Sequence, residues 1–268
     1  MAMPVTTIPL SGPIDVVVRL GRGSLTVRTR DDATEAVVHL TPRGTGDDVL
    51  DRFTVDLEGH TLSVLGPRQG GLPDLLGGRR RDRVDVVLEV PVGTALKLST
   101  VDADVVVTGR CGRADVATGS ATITLDTVDG DLRLRYGSGD SRVNAVRGAA
   151  TVKSGSGSAR FGEVGGDLHC QFGSGSLDVT VARGSLHSRA GSGHVSVGAA
   201  HADVDVASGS GGVTLGVPAG VAAKFDVMTG SGRLRSDLPV ADAPVAGARP
   251  ITIRARTGSG DVHLVRAA

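Results

Sequence analysis

The tripeptide Gly-Ser-Gly begins at Gly137, Gly155, Gly173, Gly191 and Gly209, and each spacing is 18 residues. Gly119-Ser120-Ala121 carries the series one period back, and Val101-Asp102-Ala103 occupies the slot before that. Gly230-Ser231-Gly232 follows after 21 residues and Gly258-Ser259-Gly260 after 28. A second series, Gly112, Gly130, Gly148, Gly166 and Gly184, keeps the same period, with Ala202 in the next slot. A fixed period of this length is the mark of a repeat architecture. Two turn markers per period leave segments of about five to seven residues between them, the ordinary length of a β-strand.

The apolar residues keep the same register. One column reads Ile123, Ser141, Ala159, Leu177, Val195, Val213, and the next reads Leu125, Val143, Phe161, Val179, Val197, Leu215. Past one corner come Val128, Val146, Val164, Ala182 and Ala200. The return segment gives Leu132, Ala150, Leu168, Leu186, Val204, then Leu134, Val152, Cys170, Ser188, Val206. Between these two columns the positions are polar: Arg133, Thr151, His169, His187, Asp205. Apolar and polar residues therefore alternate with period 2 inside a period of 18, which is a strand pattern with one face buried. An antiparallel meander would leave one long apolar face bare, and no helical segment is available to cover it. A parallel coil closes each period on itself and points both apolar sets inward. It also explains why equivalent positions match at every turn, since they stack directly over one another. The expected fold is all-β: a single-stranded parallel β-solenoid, a flattened β-helix with 18-residue coils and Gly-Ser-Gly corners. Successive coils should lie about 4.8 Å apart.

Composition supports this and excludes other classes. Forty of the 268 residues are glycine, which suits stacked tight corners where a Cβ would collide or positive φ is required. Aromatic residues make up only 2%, so base-stacking platforms are not to be had. The 29 basic and 29 acidic residues cancel, so no electrostatic footprint for nucleic acid or an anionic membrane is present. The Gly-Ser-Gly phrase is not a phosphate loop, because no Lys-Ser/Thr pair follows it and no helix starts there.

The flanks are strand-forming but uneven. Residues 1–100 read as irregular N-terminal coils or a cap, 101–215 as the regular array, and 216–268 as irregular C-terminal coils or a cap, all within one domain, 1–268. Residues 66–83 read as an exposed loop in which Arg79, Arg80, Arg81 and Arg83 form a cluster, and 239–250 as a Pro/Ala loop. Val90-Pro91-Val92-Gly93 recurs as Val217-Pro218-Ala219-Gly220, bracketing the array. No signal-peptide pattern and no membrane-spanning run is seen, and Cys111 and Cys170 make neither a CxxC motif nor a disulfide framework. The expected compartment is the reducing cytoplasm. Mismatched registers at the ends should block open-ended stacking, leaving a monomer or a small closed oligomer.

The phrase Thr257-Gly258-Ser259-Gly260-Asp261-Val262-His263-Leu264 has a close copy at Thr229-Gly230-Ser231-Gly232-Arg233-Leu234. Together with the Val-Pro-x-Gly corner and the strand-rich start, it resembles the bacterial "putative adhesin" β-strand-repeat family, a domain of unknown function, over roughly 14–265. The resemblance implies a β-solenoid and no catalytic residues.

No nucleotide, hydrolase, zinc-protease or calcium-loop motif occurs in the chain. Asp131, Asp167 and Asp203 share one outward column but are two coils apart, about 10 Å, too far for a paired-carboxylate site. His169, His187 and Asp205 are 18 apart on one outward column, so neighbours should be about 4.8 Å apart. Two imidazoles and a carboxylate are metal-ligand types, and these three are the candidate metal site; the bland alternative is a solvated polar ladder. No cofactor is expected. The leading functional expectation is a non-enzymatic structural or interaction module presenting a rigid β face to a protein or polysaccharide. A polymerising β-helix scaffold and a solenoid carbohydrate-active enzyme are the alternatives.

Overall fold

The computed structural model describes residues 5–43, 47–67, 83–238 and 250–267. Among these the chain is built of β-strands, and its one helical element is the 3-10 turn Asp47–Arg52. No helix of the described residues is long and apolar enough to cross a membrane. The expected Arg79–Arg81 cluster and nearly all of the Pro/Ala loop lie outside the described residues, while Arg83 opens the strand Arg83–Pro91. The residues form two compact units, Met1–Tyr136 and Gly137–Ala268.

In the second unit the 18-residue period becomes a parallel ladder. Ala159 pairs with Leu177 and Leu177 with Val195 on one sheet. Ala150 pairs with Leu168, Leu168 with Leu186 and Leu186 with Val204 on the other. Each partner is the residue one period on, so the chain closes one coil per repeat, as a β-solenoid requires. All five apolar columns are buried, including Ser141 and Ser188, both no more than 2% exposed. The strands run on into the Gly-Ser-Gly phrase, and the residue just before it is a further inward position, filled by Ser154, Phe172 and Ser208.

The glycines of that phrase have two different tasks. A Cβ on Gly173, the first of its triplet, would sit 2.5 Å from the carbonyl oxygen of Gly155 in the coil before. Gly175, the third, has φ +137°, a conformation closed to other L-residues.

The C-terminal coils do not stack in chain order. Val204–Ser210 pairs with Ile251–Ser259, and Val213–Val217 with Val262–Arg266. Ala223–Thr229 and Leu234–Ser236 then pair with the opposite edges of those same strands. The chain steps out by one coil, forms the last one, and returns to fill the gap.

In the first unit the strand Ala95–Cys111 is 17 residues long and serves both sheets. It pairs in parallel with Asp15–Arg30 on one side, and with Ala114–Ser120 and Ile123–Val128 on the other. Asp15–Arg30 continues the parallel ladder to Thr61–Leu65 and Arg83–Pro91. Beyond that the direction changes. Glu35–Arg43 lies antiparallel on Arg83–Pro91, Val5–Pro9 antiparallel on Glu35–Arg43, and Thr54–Glu58 antiparallel on Thr61–Leu65. The parallel ladder therefore ends at this flank, which closes with antiparallel strands. For Thr54–Glu58 on Thr61–Leu65 the reason is local. Glu58 and Thr61 are paired across only Gly59 and His60, with φ +59° at Gly59, and a two-residue link can join only antiparallel neighbours.

Candidate functional site

Alternation along the strands of the second unit sends every other side chain of one sheet outward, and the ladder lines these up in rows. The first row is Thr151, His169, His187, Asp205, Arg254 and, on the last coil, Asp226. The second is Lys153, Gln171, Arg189, Ala207, Arg256 and Met228. The glycines that open each triplet make a third row with no side chains at all. Four permanent cations therefore face two carboxylates across these rows. Asp226 takes two of the cations, with Arg256 at 3.4 Å and Arg254 at 3.8 Å. Among the described residues Lys153 and Arg189 form no ion pair.

A shallow groove of about 600 Å³ lies along the second and third rows, crossing four strands. Arg189, Ala207, Arg256 and Met228 line it beside Gly209, Gly230 and Gly258. Its origin is in the sequence. The glycine row leaves the floor bare, and Ala207 ends at its Cβ between two arginines. Arg189 and Arg256 are two coil steps apart, about 9.6 Å at the backbone. They are the only charged residues among those lining the groove, and no carboxylate lines it.

His169, His187 and Asp205 are direct ladder neighbours, as their spacing requires. The two imidazoles stack with centroids 5.1 Å apart and planes 4° apart. His187 Nδ1 stands 3.8 Å from Asp205 Oδ2, beyond hydrogen-bond range, and both side chains are exposed. A metal ion lies in the plane of each imidazole that binds it. Two nearly parallel, separated planes do not meet, so an ion shared by both rings requires at least one to rotate. No group of three or more His, Cys, Asp or Glu side chains among the described residues is arranged to hold a metal.

Asp167 and Asp203 of the outward column, and Asp140 and Asp104 at the other corner, have a different task, which the sequence reading missed. Asp167 Oδ1 accepts a hydrogen bond from the Ser185 N–H at 3.0 Å and another from its hydroxyl at 2.7 Å. Asp203 Oδ1 accepts from Thr252 N–H at 2.7 Å. Asp140 does the same for Ser158 at 3.2 Å, and Asp104 for Thr122 at 2.8 Å. Each carboxylate clips a backbone donor of the adjoining coil at a corner, where the ladder is interrupted. The Ser185 hydroxyl and N–H hold the Asp167 carboxyl below its ordinary value, with a smaller contribution from the His169 and His187 rings. The signal was present: an aspartate directly after a corner glycine at Asp140, Asp167 and Asp261. Both cysteines are free and buried. Burial pushes the Cys111 thiol up to about 11 and raises that of Cys170 further.

Among curated proteins none matches the chain significantly. Solved structures with a similar chain path include one from Parabacteroides distasonis described as a "putative lipid binding protein". It is 14% identical, covers 98% of this chain and 96% of its own, and has a TM-score of 0.47. A "putative adhesin" from Bacteroides fragilis is 11% identical, covers 98% and 97%, and has a TM-score of 0.44. One from Parabacteroides merdae is 9% identical, covers 98% and 96%, and has a TM-score of 0.40. The family model described as Toastrack DUF4097 matches residues 22–266.

Proposed function

We propose a function from one premise: this chain belongs to the Toastrack DUF4097 family. The chain is a non-enzymatic binding module, and its binding surface is the outward face of the sheet that carries Lys153, Arg189 and Arg256. The partner is an acidic polysaccharide. The observation that carries this reading is the groove in which Arg189, which forms no ion pair among the described residues, and Arg256, held by Asp226 at 3.4 Å, flank Ala207. Guanidinium groups bind carboxylates through paired, directional hydrogen bonds. A linear polymer with carboxylates at regular intervals can engage both arginines while lying along the coil axis. Neutral sugars are usually held by stacking on aromatic rings, and a chain with 2% aromatic residues has little to offer them. Charge is what this face has.

Calorimetric titration with oligogalacturonate, beside its methyl ester, tests the reading. The acid form should bind, lose affinity as salt rises, and lose it in an Arg189→Ala, Arg256→Ala variant whose melting temperature is unchanged. Equal binding of the neutral ester, or full binding by the double variant, would refute the assignment.

The compartment is a proposal of its own. Two free, buried thiols accord with the cytoplasm expected from the sequence, whereas an envelope polysaccharide would be met outside it. Cell fractionation decides. Recovery in the cytosol would turn the choice of partner toward an acidic protein surface.

A further inference from the structure

We infer that the last coil, residues 223–236, is a self-association surface whose occupant is the same coil of a second copy, paired antiparallel across a two-fold axis. The argument begins with core positions that have nothing over them. Phe225 stands in the ladder beside Ile253, which is 0% exposed, yet Phe225 is 38% exposed. Leu234 stands beside Val262, also 0% exposed, yet is 53% exposed. Both are inward-column side chains, so their exposure marks an uncovered end of the hydrophobic interior. Met228, on the outward side of the same strand, is 61% exposed. Among the described residues Ala223–Thr229 and Leu234–Ser236 each have a ladder partner on one side only. A strand edge with free N–H and C=O groups beside apolar side chains recruits another strand.

The edge is self-complementary in one register. A two-fold axis reverses the strand, so the pairing is antiparallel. Inward side chains stay inward only if residues of like parity face each other. Setting Phe225 opposite Phe225 of the second copy satisfies this and makes an aromatic cross-strand pair. It also brings Lys224 opposite Asp226 twice, once from each copy. The two adjacent allowed registers set Asp226 against Asp226 or Lys224 against Lys224, and both are disfavoured by like charge. Lys224 is exposed and forms no ion pair among the described residues, whereas Asp226 lies between Arg254 and Arg256. A two-fold contact uses this surface alone and closes after two copies. It needs no complementary edge elsewhere on the chain and does not depend on the proposed ligand.

Sedimentation velocity on the full chain across a concentration series reads the outcome. The intact chain should form a concentration-dependent dimer. Phe225→Asp and Lys224→Asp should each raise the dissociation constant about tenfold or more, with circular dichroism and melting showing the fold intact. Asp226→Lys should weaken the dimer to the same degree. Mixing the Lys224→Asp chain with the Asp226→Lys chain should then restore a heterodimer, because both cross-strand pairs are again of opposite charge. A monomer at every concentration, an open-ended polymer, a dimer indifferent to Phe225→Asp, or a mixture that stays monomeric would each overturn the proposal.

Discussion

Leu168 and Phe225 belong to the same inward column of one sheet, four ladder steps apart through Leu186, Val204 and Ile253. Leu168 is 1% exposed and Phe225 is 38% exposed. Nothing in the alternation around them explains the difference, since both sit in short apolar-polar strands. Leu168 has a coil on each side, whereas Phe225 has one side without a ladder partner among the described residues. In a stacked coil, burial belongs to the pair of neighbours more than to the residue. The flank of the first unit solves the same problem differently. There the parallel strands Thr61–Leu65 and Arg83–Pro91 are covered by antiparallel Thr54–Glu58 and Glu35–Arg43, and Val86 and Leu88 beneath are fully buried.

The sharpest test of the comparison is to place a charge in each of the two positions. Leu168→Asp buries an unpaired carboxylate between two sheets and should cost about 3–5 kcal/mol. Phe225→Asp, measured at a dilution where the chain is monomeric, should cost less than about 1 kcal/mol. Comparable shifts in the urea midpoint would break the comparison.

Glycines offer the next contrast. A Cβ on Gly193 would lie 1.9 Å from the carbonyl oxygen of Gly175, at φ +136°, whereas one on Gly220 would meet nothing within 4 Å, at φ +79°. Gly193→Ala should therefore cost about 3 kcal/mol and Gly220→Ala only the strain of its backbone, about 1 kcal/mol. Thermal melting of the two variants checks it.

Alkali should act on the interior coils. The Cys111 thiol is raised from 9.0 to about 11 by burial, so the folded state holds its proton where the unfolded chain has begun to lose it. Its contribution is complete below pH 9.0 and is lost as the pH rises toward about 11. Cys170, in the inward set with Leu168, shifts in the same direction. A Cys111→Ala, Cys170→Ala variant should show a flatter fall of stability above pH 9.0. Loss of equal steepness would mean that other groups govern it. On the acid side the Asp167 carboxyl is held low, so its smaller contribution is present at neutral pH and lost as the pH falls through its folded value.

The smallest effects belong to the outward face. His169→Asp should alter stability by no more than about 0.5 kcal/mol, although it adjoins Leu168 in the chain. Zinc should leave the melting temperature unchanged, because the stacked rings do not converge on one point. A rise that disappears in a His169→Ala, His187→Ala variant would establish the metal site instead.

Much of this was open to a reader of the sequence. The period of 18 places Ala159 beside Leu177 and His169 beside His187 without any coordinates, because a stacked coil converts sequence distance into contact. Inward Ser188 was readable from its column in spite of its polarity. The groove was less readable. It arises from four residues on strands as distant as 189 and 256, and only the pairing of Ala207 with Arg256 brings them into one row.

The order of the C-terminal coils was hidden for a related reason. The glycine triplets at Gly209, Gly230 and Gly258 suggest stacking in chain order, but the Cβ position of Gly258 abuts Gly209 and that of Gly230 abuts Gly258. Ile251, Ile253, Ala255, Val262 and Leu264 are apolar inward positions covered on both sides, with Thr257 the polar exception, whereas the last coil carries Ser236 opposite Leu264. Local pattern and period determined the strand, its inward face and its neighbour wherever the repeat is unbroken, since each of these depends on residues within one coil of each other. Which coil stands last, where antiparallel strands take over, and which arginines share a groove were decided by tertiary structure. These depend on which apolar surface is left uncovered once every other coil has found its partner, and that is a property of the whole stack.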